Sequence, residues 1–285
     1  MKMIIRNSNK EIDLEYSKAV RFLYNTVVGR LILKILTNRF ISKIGGYFFN
    51  SKLSCLYKNH IIKKNNIDMS KFVDIKYDTY NKFFTRKYLP KYLNVDNNKD
   101  VFISPCDSKL MIFKINESNT FKIKNSTYKL EEIINDELVS QYKDGYLLIF
   151  RLDVNDYHRY CYIDDGKRSV YHYIPGILHT VQPIVYEHEK VFIRNAREWC
   201  LLETKNFDNV IQVEVGALMV GKIVNNKDVI EFKKGEEKGY FEFGGSTILL
   251  FVKNGVVDFD KDILLNSNNG NETIVKYGEH IGVRR

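Results

Sequence analysis

The sequence contains no run of about 18 apolar residues, the length a membrane-crossing helix requires. Charges interrupt its first sixteen residues, MKMIIRNSNKEIDLEY, where a secretory signal needs an unbroken apolar stretch, so any membrane association is expected to be peripheral. Cysteine is sparse and scattered. Cys55, Cys106, Cys161 and Cys200 form no CxxC pair, which argues against a zinc cage or a thioredoxin motif and for reduced cytoplasmic thiols. No metal site is expected. No repeat or low-complexity linker divides the chain, and no zinc-finger or RRM signature points to nucleic acid as a partner.

What is present is a globular mixture. Apolar residues make up 44% of the 285 and charged residues 28%, with 19 Tyr and 18 Phe, enough to bury a sizeable core rich in strand-forming aromatics. Lys and Arg exceed Asp and Glu by nine, which favours an anionic partner. An acidic membrane surface fits that balance, and so does a plain solvated basic face.

Between residues 13 and 60 apolar side chains recur at helical spacing, among them Val20, Leu23, Val27, Leu31, Ile35 and Leu36, interrupted by Arg21, Arg30, Lys34, Arg39 and Lys43. The pattern predicts amphipathic helices, with Gly45-Gly46 separating two of them. Their apolar faces either pack on the rest of the protein or lie on a bilayer. From Val101 onward strands dominate, at 109–115, 120–123, 146–152, 191–194, 210–215, 229–232 and 247–252, with a helical signal at 130–138. The expected fold class is α+β. An N-terminal amphipathic helical, membrane-proximal region (1–93) precedes a mainly antiparallel β catalytic body (94–285), the two forming one catalytic unit.

The most informative stretch is KGEEKGYFEFGGSTILLF, residues 234–251. Gly244 and Gly245 precede Ser246, and two residues without Cβ permit the tight bend by which a hydroxyl reaches the preceding carbonyl. A turn into a strand and a phosphate-cradling loop use the same residues. Asp156-Tyr157-His158-Arg159 follows an apolar strand, and Ser104-Pro105-Cys106-Asp107 sets an acid on a turn before another.

In chain order, Phe83-Phe84-Thr85-Arg86, Ser104 to Asp107, Asp156 to Arg159, Val181-Gln182-Pro183, Val213 to Ala217 with Val220-Gly221, and the 234–247 segment resemble phosphatidylserine decarboxylases, especially short bacterial proenzymes with a GGST cleavage site. The resemblance spans most of the chain. It implies self-cleavage between Gly245 and Ser246 into a β chain (1–245) and an α chain (246–285), which stay partners. Ser246 would become a covalent pyruvoyl group, the cofactor that accepts the electrons left when carbon dioxide departs. The implied substrate is phosphatidylserine in an anionic membrane, the product phosphatidylethanolamine, and the location the cytoplasmic face of the cell membrane. A homodimer stays open.

Residue by residue, the resemblance carries Asp107 and Ser246 into the self-cleaving arrangement and His158 into decarboxylation. Arg159 either holds a substrate anion or makes an ion pair. Cys161 stands where the family's motif has its second histidine, the self-cleavage base. The base is thus open among Cys161, His158, His172 and His179. The alternative function is a non-processing, catalytically impaired relative that binds acidic phospholipid.

Overall fold

In the computed structural model, which describes residues 1–6, 8, 10–124, 126–218, 222–243 and 246–285, one strand organises the rest. Every residue of Ser246–Val252 is buried. The two-residue period sends Ile248, Leu250 and Val252 into one apolar cluster and Leu249 and Phe251 into a second on the opposite face. Each such aliphatic or aromatic side chain stabilises the fold by roughly 2 kcal/mol when fully buried. The strand pairs antiparallel with Asn209–Gly216 on one side and Tyr146–Leu152 on the other.

Beyond Tyr146–Leu152 the sheet continues through Ser108–Lys114, Glu272–Val275, Lys2–Ile5 and Lys10–Asp13. Beyond Asn209–Gly216 it continues through Arg197–Thr204, Gly166–Arg168 and Glu231–Phe232, with His172–Ile174 also on Arg197–Thr204. Pairing is antiparallel except between Lys2–Ile5 and Glu272–Val275. A three-stranded sheet of Ile223–Asn225, Glu237–Phe241 and Arg159–Cys161 contributes Tyr160, Cys161 and Phe241 to the Ile248 cluster. The α+β class and the antiparallel body therefore agree with the sequence.

Helices fill the segment between Lys18 and Lys64: α1 (Lys18–Asn25), α2 (Val27–Leu36), α3 (Arg39–Phe49) and α4 (Leu56–Lys64). Side-chain caps set their starts. Ser17 Oγ accepts from Val20 N at 3.2 Å, Thr26 Oγ1 from Gly29 N at 2.9 Å, and Asn38 Oδ1 from Phe40 N at 2.8 Å. Gly45-Gly46 is not a break, because α3 runs through it. Val20, Leu23 and Leu33 pack into the Leu249 cluster, whereas Val27, Leu31 and Ile35 are 57–68% exposed.

Two further expectations are corrected. The first thirteen residues are not helical, because Lys2–Ile5 and Lys10–Asp13 extend the body sheet. Val191–Arg194 forms one helical turn, in which Val191 and Phe192 are buried, instead of a strand. Its apolar composition suits a buried turn as well as a strand, so tertiary packing decides. The Arg197–Thr204 strand went unrecognised, since its charged ends mask the apolar centre.

Candidate active site

Ser246 opens the central strand at the end of the sheet where Gly216 and Leu152 close the flanking strands and pair with it. Its side chain is fully buried, and Oγ has no hydrogen-bond partner among the described residues. A buried hydroxyl without a partner costs roughly 1–3 kcal/mol, so such an atom calls for a reason. Gly244, Gly245, Val220 and Gly221, all part of the motifs, lie outside the described residues.

His158 returns to this end of the sheet six residues after Leu152. A turn over 153–156 brings it back: Asp156 N donates to Asp153 O at 2.9 Å, and Asp153 N to Asp156 Oδ2 at 2.7 Å. Lys109 Nζ clamps that turn, 2.6 Å from Asp156 Oδ2 and 3.2 Å from Asp153 Oδ2. Burial pushes the Asp156 carboxyl up against the pull of Lys109, while Arg151 leads in holding Asp153 down despite its burial. Arg86, from the Phe83-Phe84-Thr85-Arg86 motif, secures the same loop by donating to Asn155 O at 3.2 Å and Asp156 O at 3.3 Å.

The His158 ring has a definite tautomer. Nδ1 lies 3.0 Å from the Asp156 carbonyl oxygen, which can only accept, so Nδ1 carries the hydrogen and Nε2 the lone pair. Nε2 is buried and has no partner among the described residues. Burial first, then Arg86, lowers the imidazole pKa well below its ordinary 6.5, so the ring is neutral at pH 7. The ring packs 3.8 Å from that of Phe84 on α5 (Tyr80–Phe84), and Phe84 meets Phe243 at 5.3 Å. Phe243 N donates to Asn81 Oδ1 at 3.1 Å, which ties the approach to Ser246 to the helix bearing the His158 platform.

Asp107 and Cys161 form a second group. Asp107 Oδ1 accepts from Tyr277 N at 2.9 Å, and Oδ2 from Lys276 Nζ at 3.1 Å and Tyr88 OH at 3.3 Å. Cys161 N donates to Pro105 O at 2.9 Å, and the nearby Tyr277 hydroxyl donates to Gly235 O at 2.9 Å. Among the described residues no hydrogen bond joins Asp107 or Cys161 to Ser246 or His158. The thiol departs from what the sequence suggested for it. It is packed in the Ile248 cluster, and burial pushes its pKa up to about 12, so it carries no thiolate at neutral pH.

The other candidates have partners of their own. His172 stacks on Trp199 at 4.3 Å on the outer part of the sheet. His179 Nδ1 meets Tyr24 OH at 3.2 Å. Arg159 makes an ion pair with Glu237 at 2.7 Å and donates to Thr85 O at 2.7 and 3.0 Å, which supports the structural alternative. Tyr277, Lys276 and Tyr88 around Asp107 escaped sequence reasoning, because only folding brings their distant segments to the acid. So did the buried pair of Lys238 and Glu214 at 2.7 Å, in which the Glu214 oxygens also accept from Gln212 and Asn225. Lys238 lies inside the 234–247 motif and Glu214 two residues before Gly216, a signal that was available.

The sequence model described as phosphatidylserine decarboxylase matches residues 80–283. The chain belongs to the phosphatidylserine decarboxylase family. It is 49% identical over 265 residues to phosphatidylserine decarboxylase proenzyme 2 of Clostridium acetobutylicum, covering 92% of this chain and 91% of that protein. It is 40% identical to the phosphatidylserine decarboxylase proenzyme of Clostridium tetani, with 93% and 91% covered. The proenzyme of Clostridium botulinum strain Alaska E43 is 37% identical over 98% of this chain and 97% of its own length. Family members related over nearly the full length thus bear proenzyme names, and the non-processing alternative finds no support in them.

Proposed function

We propose that the chain is a proenzyme that cleaves itself between Gly245 and Ser246 and then decarboxylates phosphatidylserine to phosphatidylethanolamine at a pyruvoyl group made from Ser246. The observation that carries this reading is that Ser246 Oγ and His158 Nε2 are both buried without a hydrogen-bond partner among the described residues, in a chain of this family. A hydroxyl nucleophile needs a neighbouring base with an available lone pair, and a buried neutral imidazole fixed through its other nitrogen is such a base. His158 therefore takes the Ser246 proton, and Cys161 does not.

Asp107, held by Tyr277 N, Lys276 and Tyr88, orients the 104–107 segment that also receives Cys161 N. Its role in self-cleavage is structural at this end of the sheet. When formed, the pyruvoyl group supplies an electron sink for the departing carboxylate's electrons. His158 Nε2 holds or returns the proton, and Phe84, stacked on the His158 ring and meeting Phe243, keeps water from it.

The membrane-proximal role of the first 93 residues, at the cytoplasmic face, rests on charge and exposure. Residues 16–67 contain ten Lys or Arg and no Asp or Glu, so the remainder of the chain, with 34 basic and 35 acidic residues, is nearly neutral. The same segment exposes Phe40 (69%), Tyr47 (70%) and Leu56 (80%). Apolar side chains set among cations suit the surface of an acidic bilayer. No helix among the described residues is long and apolar enough to cross a membrane.

The test is mass spectrometry of freshly purified protein combined with a lipid assay. Two chains, the smaller blocked by a pyruvoyl group, and phosphatidylethanolamine formed from phosphatidylserine are expected. An intact 33.6 kDa chain after incubation with acidic vesicles would overturn the reading. Ser246→Ala should remain unbroken and inactive.

A further inference from the structure

A cavity of about 450 Å³ lies between α2 and the 177–194 segment. That volume is in the range of small-ligand sites. Its walls divide by chemistry. Val27 and Leu31 of α2 are apolar and outward-facing, at 68% and 57% exposure, while Arg30 and Lys34 of the same helix and Arg194 opposite are cationic. The positions 27, 30, 31 and 34 share one helix face by their spacing. Glu189 is the lining carboxylate, and it forms an ion pair with Arg194. Arg30 and Lys34 make no ion pair among the described residues; Arg30 donates only to the Tyr24 carbonyl, at 3.3 Å. The cavity thus has two uncompensated cations beside an apolar mouth.

Its inner wall is coupled to the Ser246 strand. His179 lines the cavity, and its carbonyl accepts from Asn195 Nδ2 at 2.9 Å. The same Nδ2 donates to Gly216 O at 2.8 Å, and Gly216 is the residue paired with Ser246. Tyr24 closes the floor, its hydroxyl accepting from Thr180 N at 3.2 Å.

We propose that this cavity is a subsite for the phosphodiester of a membrane phospholipid, with Arg30 and Lys34 on the phosphate and Val27 and Leu31 against the glycerol and proximal acyl carbons. This rests on the reading that the helical segment meets an acidic bilayer. A free phosphate would use the cations and leave the apolar mouth unused, whereas a phospholipid at the surface satisfies both. The site differs from diffuse charge attraction because two residues out of ten basic ones carry it.

The experiment is calorimetric titration of the full chain with water-soluble dibutanoyl phosphatidylserine and dibutanoyl phosphatidylglycerol, below their micellar concentrations, and with inorganic phosphate. The double variant Arg30→Gln, Lys34→Gln should lose at least tenfold in affinity for both lipids. The charge-matched control Lys63→Gln, Lys64→Gln on α4 should stay within twofold. Lys34→Met, which keeps the aliphatic stem on an exposed helix face, repeats the test should the double variant melt early. Equal losses in cavity and control variants, no loss in either, or inorganic phosphate binding as tightly as the lipids would each overturn the proposal. Titration of Ser246→Ala in parallel reads binding without self-cleavage, so failure of this site and failure of the decarboxylase reading give different results.

Discussion

At the scale of single residues, the proposed chemistry turns on which buried group can act as a base. His158 is neutral with an unpartnered Nε2, and Cys161, with its thiol pushed up to about 12, has no thiolate near neutral pH. His158→Gln should therefore slow self-cleavage by roughly 10²–10⁴-fold, the usual worth of a general base. Cys161→Ala should leave the rate within about threefold, since it removes only packing, at a cost of about 1 kcal/mol. Gel densitometry of the two chains against time after synthesis checks both. The histidine also makes a stability prediction. Its folded pKa lies well below 6.5, so the unfolded chain takes up a proton near pH 6.5 that the folded chain refuses. Stability from this group is complete above that pH and falls as pH drops below it, by at most about 1.4 kcal/mol per pH unit. Thermal melts at pH 7 and pH 5 should show a larger acid-side drop in Ser246→Ala than in Ser246→Ala, His158→Gln.

Elements make their own demands. The helices α1 to α4 start where Ser17, Thr26 and Asn38 cap them, and they leave large apolar side chains in water. Phe40→Ser, Tyr47→Ser, Leu56→Ser should weaken co-sedimentation with acidic vesicles by more than about tenfold while moving the melting temperature little, because exposed positions contribute little to folding. High salt should weaken the parent's binding as well. Phe49 of α3 reaches Phe243 at 3.9 Å, so the helical segment touches the approach to Ser246 as well as the solvent. That contact was not legible in the sequence, where Phe49 and Phe243 are two unremarkable aromatics.

For the whole molecule, the proposed cleavage after residue 245 would cut the chain without opening the fold. The segment after it supplies Ser246–Val252 between two strands, Glu272–Val275 between two more, and His280–Arg284 between Val257–Phe259 and Val101–Ile103. The two products should co-elute in one peak on native size exclusion and separate only in denaturant. Peaks that part without denaturant would show that pairing alone does not hold them.

The sequence by itself determined the antiparallel body and the strand at 247–252, because alternation is encoded in neighbouring residues, and its local motifs named Ser246, Asp107 and His158 as candidates. It also located the helical segment, though Gly45-Gly46 proved weaker than the Asn38 cap as a boundary. Only the tertiary structure decided that Lys2–Ile5 joins the sheet beside Glu272–Val275, that Cys161 is a core thiol, and that Asp107 faces Lys276 and Tyr277. Each of these depends on burial or on residues far apart in the chain, and proton affinity and pairing are set by that surrounding space.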